Sequence, residues 1–126
     1  MAKQIQESGE MYLEHIYRLT ERGGIVRSVD VAKESGYSKP SVSRAMGLLR
    51  EAGYIRVGED GAITLCGEGR AIAMRIYERH KLLTGILMSL GVTEEIAAKD
   101  ACKIEHDLSE ETVSALRIYA EKHKII

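Results

Sequence analysis

Between Ser28 and Leu65 the sequence changes periodicity and is punctuated by glycine at each change, and this run restricts the fold more than any other part of the chain. Residues 28–36, Ser-Val-Asp-Val-Ala-Lys-Glu-Ser-Gly, read as a short helix. Ser28 is its expected N-cap, since a serine oxygen can accept from an orphan amide, and Gly36 is its stop, since glycine adopts the left-handed conformation that ends helices. A second helix follows over residues 39–52, capped by Ser38 and ended by Gly53. Pro40 costs nothing there, because amides in a first turn have no helical acceptor. Ala32, Gly36 and Val42 supply the small, turning and buried residues that a close crossing of two helices needs. Residues 54–65 then alternate apolar and polar side chains around Glu59-Asp60-Gly61, the pattern of a β-hairpin. A helix-turn-helix followed directly by a hairpin is a winged helix.

Such a unit presents its second helix to the DNA major groove. Ser38, Lys39, Pro40, Ser41, Ser43 and Arg44 occupy the start of that helix, and Arg56 lies in the wing, where it can reach a phosphate. Residues 35–50 contain Lys39, Arg44 and Arg50 and no acidic residue, although the whole chain has a formal net charge of -1. The expected partner is therefore double-stranded DNA bound through fit and dimerisation more than bulk electrostatics.

The remaining elements are helical. The first helix is expected over residues 8–22, with Leu13, Ile16, Tyr17 and Leu19 on its apolar face and Gly23-Gly24 at its end. A long helix over residues 67–90 becomes apolar on more than one face after Leu82, which implies burial on more than one side and a homodimer. Thr93 and Ser109 are expected to cap two further helices, with Glu94 and Glu95 complementing the dipole of the first. The last carries Val113, Leu116 and Ile118, able to complete a dimer core. The expected fold is mainly α: an N-terminal winged helix-turn-helix with a small β-hairpin wing over 1–66, followed by an all-α dimerisation domain over 67–126. No apolar run has membrane-spanning length, and Met-Ala-Lys-Gln-Ile-Gln at the start lacks the apolar core of an export signal, so a cytoplasmic location is expected. With Cys66 and Cys102 far apart, thiol chemistry is expected in place of a disulfide framework.

Residues 101–109, Ala-Cys-Lys-Ile-Glu-His-Asp-Leu-Ser, carry the chemistry. Cys102, Glu105 and His106 stand three and four apart, so on one helix face they can converge, and a thiolate beside an imidazole suits a transition metal. Met11 and Glu14 on the first helix, whose face they share with His15, and His80 on the long helix add further donors. All these polar groups are consumed as ligands, leaving no separate nucleophile or oxyanion donor, so an enzyme acting on a small organic substrate is not expected.

With these motifs the chain resembles the metal-dependent repressors of the diphtheria toxin repressor and manganese transport regulator type. The resemblance runs through Glu10-Met11-Tyr12-Leu13-Glu14-x-Ile16-Tyr17, Val31-Ala32 to Ser41-Val42-Ser43, Arg79-His80-Lys81-Leu82 and Ala101-Cys102-x-x-Glu105-His106-x-Leu108-Ser109. It implies a primary activating site of Met11, Cys102, Glu105 and His106, as in the iron-responsive branch, and a second or shared ion at Glu14 and His80, as in the manganese branch. Thr84 and Ala98 stand where the iron branch has further ligands, and the C-terminal domain of its longer members is expected to be missing. The soft donors Met11 and Cys102 favour iron(II), with manganese(II) the alternative and cobalt, nickel or zinc able to substitute in vitro. The implied output is repression of metal-uptake genes. A winged-helix regulator that senses a small molecule, or thiol oxidation at Cys102, is the alternative.

Overall fold

The computed structural model describes residues 7–126. Among them six helices flank one small hairpin: α1 (Glu7–Glu21), α2 (Ser28–Ser35), α3 (Lys39–Glu51), β1 (Ile55–Val57), β2 (Ile63–Leu65), α4 (Gly67–Ser89), α5 (Glu94–Ile104) and α6 (Glu110–Lys122). They form two compact units, one ending at Met74 and the other spanning Arg75–Ile126.

In the first unit α1 packs on α2, α3 and β2, α2 on α3, and α3 on β1. Tyr12, Leu13, Ile16, Val31, Val42, Met46 and Leu49 are buried, as their helical spacing requires. The turn between α2 and α3 is made by Gly36, at φ 79°, whose amide donates to the Ala32 carbonyl. Ser38 caps α3 as expected, its Oγ accepting from the Ser41 amide at 3.3 Å. Ser28 does not cap α2. Arg27 occupies that position, and its amide donates to Asp30 Oδ2 at 2.9 Å. A carboxylate three residues into the helix satisfies the backbone at Arg27, and Ser28 becomes the first helical residue.

The wing is an antiparallel pair with Ile55 opposite Leu65 and Val57 opposite Ile63, and its turn contains Gly61 at φ 83°. Asp60 Oδ1 accepts from the Ala62 amide, and Arg27 Nε donates to the Asp60 carbonyl, which ties the wing to the start of α2. A third extended segment joins the pair where Ile63 donates to the Val26 carbonyl at 2.7 Å. Helix α4 begins at residue 67 as expected, and its first turns pack within this unit. A Cβ at Gly69 would lie 2.2 Å from the Tyr54 carbonyl oxygen, so only glycine permits that approach.

The second unit holds the rest of α4 with α5 and α6. Leu82, Ile86, Val113 and Ala120 form its core, with Leu108, Leu116 and Ile125 against it. Val113 and Leu116 thus serve the fold of the single chain, whereas Ile118 stays 66% exposed. Ser109 caps α6, accepting from the Thr112 amide at 3.1 Å; Thr93 precedes α5 with no side-chain cap bond. Among the described residues no helix is long and apolar enough to cross a membrane.

Candidate metal centre

Helix α4 carries His80 one turn before Leu83, on the side that the helix buries, and the imidazole is only 7% exposed. Its Nδ1 lies 3.2 Å from Glu105 Oε2 and 3.7 Å from Cys102 Sγ. One nitrogen, one sulfur and one carboxylate oxygen therefore stand within 4.8 Å of one another, all contributed by the second unit. Tyr77, one turn earlier on α4, stacks its ring against the imidazole with centroids 6.5 Å apart. A buried carboxylate needs a compensating charge or donors, and Glu105 is fully buried at 0% exposure. Its two oxygens meet different histidines: Oε2 meets His80, and Oε1 lies 3.6 Å from His106 Nε2.

The expectation that one helix carries all three donors of residues 102–106 needs correcting. Helix α5 ends at Ile104, so only Cys102 lies within it; Glu105 is the C-cap, and His106 follows in a turn. Glu105 keeps right-handed geometry and its amide bonds the Ala101 carbonyl, so the Cys102–Glu105 neighbourhood survives. The Asp107 amide then bonds the Ile104 carbonyl, a tighter turn that takes His106 off the helical spacing. The partner that this arrangement gives Cys102 and Glu105 is His80, which sequence spacing alone could not assign to them.

Arg79, beside His80, was not among the expected functional residues. It is 6% exposed, and its Nη1 donates to the carbonyls of Glu105 at 3.0 Å and Leu108 at 2.8 Å. Nη2 donates to Glu110 Oε1 at 2.6 Å. A signal existed: Ile72, Ile76, Arg79 and Leu83 fall at helical spacing, so a charge occupies a position on the apolar face of α4.

In the first unit, Met11 and Glu14 lie three apart on α1, Met11 half-buried and Glu14 3% exposed with Arg18 3.6 Å away. His15 beside them is half-buried. All seven residues expected to face DNA are exposed: Ser38, Lys39, Pro40, Ser41, Ser43 and Arg44 on and before α3, and Arg56 on β1. The opposite side of α3 holds the buried Val42, Met46 and Leu49, so the exposed side is available to a partner.

A winged helix-turn-helix combined with a cluster of a buried imidazole, a buried carboxylate and an exposed thiol points to a class, the metal-responsive DNA-binding regulators. Comparison with known proteins narrows it. Residues 4–63 match the N-terminal DNA-binding domain of the iron-dependent repressors, and residues 67–124 match their metal-binding and dimerisation domain. The chain belongs to the iron-dependent repressor family. It is similar to the transcriptional regulator MntR of Escherichia coli, with 38% identity over 112 residues, 89% of this chain and 72% of that protein. It is 30% identical to the diphtheria toxin repressor of Corynebacterium efficiens over 86% of this chain and 48% of the relative. The solved structure of the manganese regulator SloR superposes with a TM-score of 0.80 at 26% identity, covering 90% of this chain. The chain spans about half the length of those last two proteins, 48% and 53% respectively.

Proposed function

We propose that this chain is a metal-activated transcriptional repressor that binds operator DNA as a homodimer in the cytoplasm and controls metal-uptake or metal-homeostasis genes, with iron(II) its favoured activator. The observation that carries the reading is the His80, Cys102 and Glu105 cluster, with Nδ1 3.2 Å from the carboxylate and 3.7 Å from the thiol. A thiolate and an imidazole together suit iron(II), cobalt(II) or zinc better than a hard cation. Met11 adds a thioether from α1, and Glu14 and His106 complete the proposed donor set.

The donors divide between the two units: Met11 and Glu14 belong to the first, and His80, Cys102, Glu105 and His106 to the second. Sharing coordination between them restrains the unit that reads DNA. The bound ion supplies positive charge and a fixed coordination geometry. Cys102 gives up its proton to bind, and the imidazoles bind neutral, so affinity increases with pH. In a two-fold dimer the paired α3 helices must stand about 34 Å apart to enter successive major grooves. Shifting a lobe equilibrium from about 1:99 to 99:1 needs about 5.5 kcal/mol of differential affinity, within reach of a transition-metal site.

Manganese(II) is the second reading, favoured by the likeness to MntR and SloR and by the carboxylate of Glu14. The test is anaerobic titration of iron(II) and manganese(II) against double-stranded DNA enriched from a random pool by the metal-loaded protein. Binding should follow metal, with iron(II) effective at the lower free concentration. Cys102→Ala and Glu105→Ala should stay folded by circular dichroism and lose metal-dependent binding. Metal-dependent binding retained in both variants, or equal binding with chelator and with metal, overturns the reading; the latter outcome favours a regulator sensing a small molecule or thiol oxidation.

A further inference from the structure

We infer that Arg79 is a positioning residue for the metal centre: it holds the connector between α5 and α6 in the one path that aims Glu105 at His80. This inference rests on the proposed metal site and deepens it. Helix α5 ends with carbonyls that have no intrahelical donor, and such groups need partners when buried. Arg79 supplies one at the helix end, with Nη1 bonding the carbonyl of the C-cap Glu105 at 3.0 Å, and bonds the connector carbonyl of Leu108 at 2.8 Å as well. Those carbonyls bracket His106 and Asp107, and Leu108 directly precedes the Ser109 cap of α6. Nη2 reaches Glu110 Oε1 at 2.6 Å, so the same guanidinium also grips the first turn of α6.

The geometry suits arginine and no other side chain. A planar fork with several N–H donors can bond two carbonyls and a carboxylate at once, whereas a lysine ammonium is a single point with a different reach. The guanidinium side chain is 7% exposed and Glu110 is 73% exposed, so the charge is buried at the connector and compensated from the rim. His80 is the next residue on α4. One helix therefore presents a ligand and, through its neighbour, fixes the backbone of the second ligand. The distance from His80 Nδ1 to Glu105 Oε2 is set by a rigid element, and an ion finds the donors already placed. Groups that orient metal ligands typically change metal affinity about 10–100-fold when removed.

The experiment uses cobalt(II) with the full chain under anaerobic conditions. Three readouts are taken: affinity, the thiolate-to-cobalt charge-transfer band with the visible d–d bands, and the thermal midpoint of the metal-free protein. Arg79→Lys should bind cobalt(II) about tenfold more weakly or worse, the low end of what loss of an orienting group does, with d–d bands shifted toward a less ordered coordination. A purely structural role would lower the midpoint and leave the bands of the loaded protein unchanged, and that result overturns the proposal. If Arg79→Lys fails to fold, Glu110→Ala decides, because its exposed site tolerates truncation. A weaker affinity with shifted bands supports the proposal, and wild-type behaviour overturns it. Wild-type protein that binds cobalt(II) beside an indifferent variant refutes only the role of Arg79. Wild-type protein that binds no cobalt(II) refutes the metal site and this inference together.

Discussion

The two units differ in how much charge they bury. In the first, Glu14 is the one charged side chain buried among the described residues, and the residues proposed to meet DNA lie outside the core, on the exposed side of α3 and on β1. In the second, Arg79, His80 and Glu105 are buried at the candidate metal centre. The pairing of Arg22 with Glu34 and that of Arg79 with Glu110 show the contrast at one scale. The first is bidentate at 2.9 Å on the surface, joining the end of α1 to α2. The second places a buried guanidinium against connector carbonyls as well as a carboxylate. A DNA-reading surface needs solvent-facing donors on a rigid scaffold. A metal centre needs donors withdrawn from water and held in place before the ion arrives. Buried polar groups carry a desolvation cost, and of the four among the described residues the second unit holds three, Arg79, His80 and Glu105.

The largest effect that separates the units should come from Ile16, which is completely buried in the first. Ile16→Ala should cost about 2–5 kcal/mol of stability in chemical denaturation. The loss should be the same with chelator and with saturating cobalt(II); a loss that shrinks when metal is added breaks the separation. Next in size are the two serine caps, Ser38 on α3 and Ser109 on α6, which accept from amides at 3.3 and 3.1 Å. Replacing either by alanine should cost about 1 kcal/mol. Only Ser109→Ala should also weaken cobalt(II) binding, since it ends the connector that Arg79 holds. Equal metal affinity in the two variants would dissolve that part of the contrast.

The smallest effect concerns Glu34, whose carboxyl is held below its ordinary value of 4.5 chiefly by the hydrogen bonds from Arg22, against an opposing contribution from burial. A depressed folded-state value means that the pair stabilises the protein above the unfolded value and loses that contribution as pH falls through the folded one. Arg22 is more than half exposed, so solvent screening keeps the gain small. Arg22→Ala should cost about 0.5–1 kcal/mol at pH 7 and progressively less as the pH is lowered through the acid range, read from a series of urea midpoints. A cost that stays constant across the series would mean that packing, not charge, joins these helices.

Much of the chain was legible in advance because its signals are local. Ser38 with Pro40 marks one helix start, Gly36 and Gly53 mark stops, and Gly61 marks a hairpin turn. Each depends on dihedral preference or on a hydrogen bond a few residues away. The misplaced cap of α2 belongs to the same scale: Asp30 accepts from the Arg27 amide, and the helix begins one residue earlier than Ser28 would have set it. The candidate donor residues stood out too, because soft ligands at helical spacing are few in this sequence.

Sequence by itself thus determined the order of elements, the exposed face of α3 and the list of possible ligands, since all three follow from periodicity and residue chemistry. Tertiary structure alone decided that His80, far from Cys102 and Glu105 along the chain, is their partner, that Glu105 turns one oxygen to His80 and the other to His106, and that Arg79 closes the connector. These depend on how α4 packs against the end of α5, and spacing along one helix carries no information about the neighbour across from it.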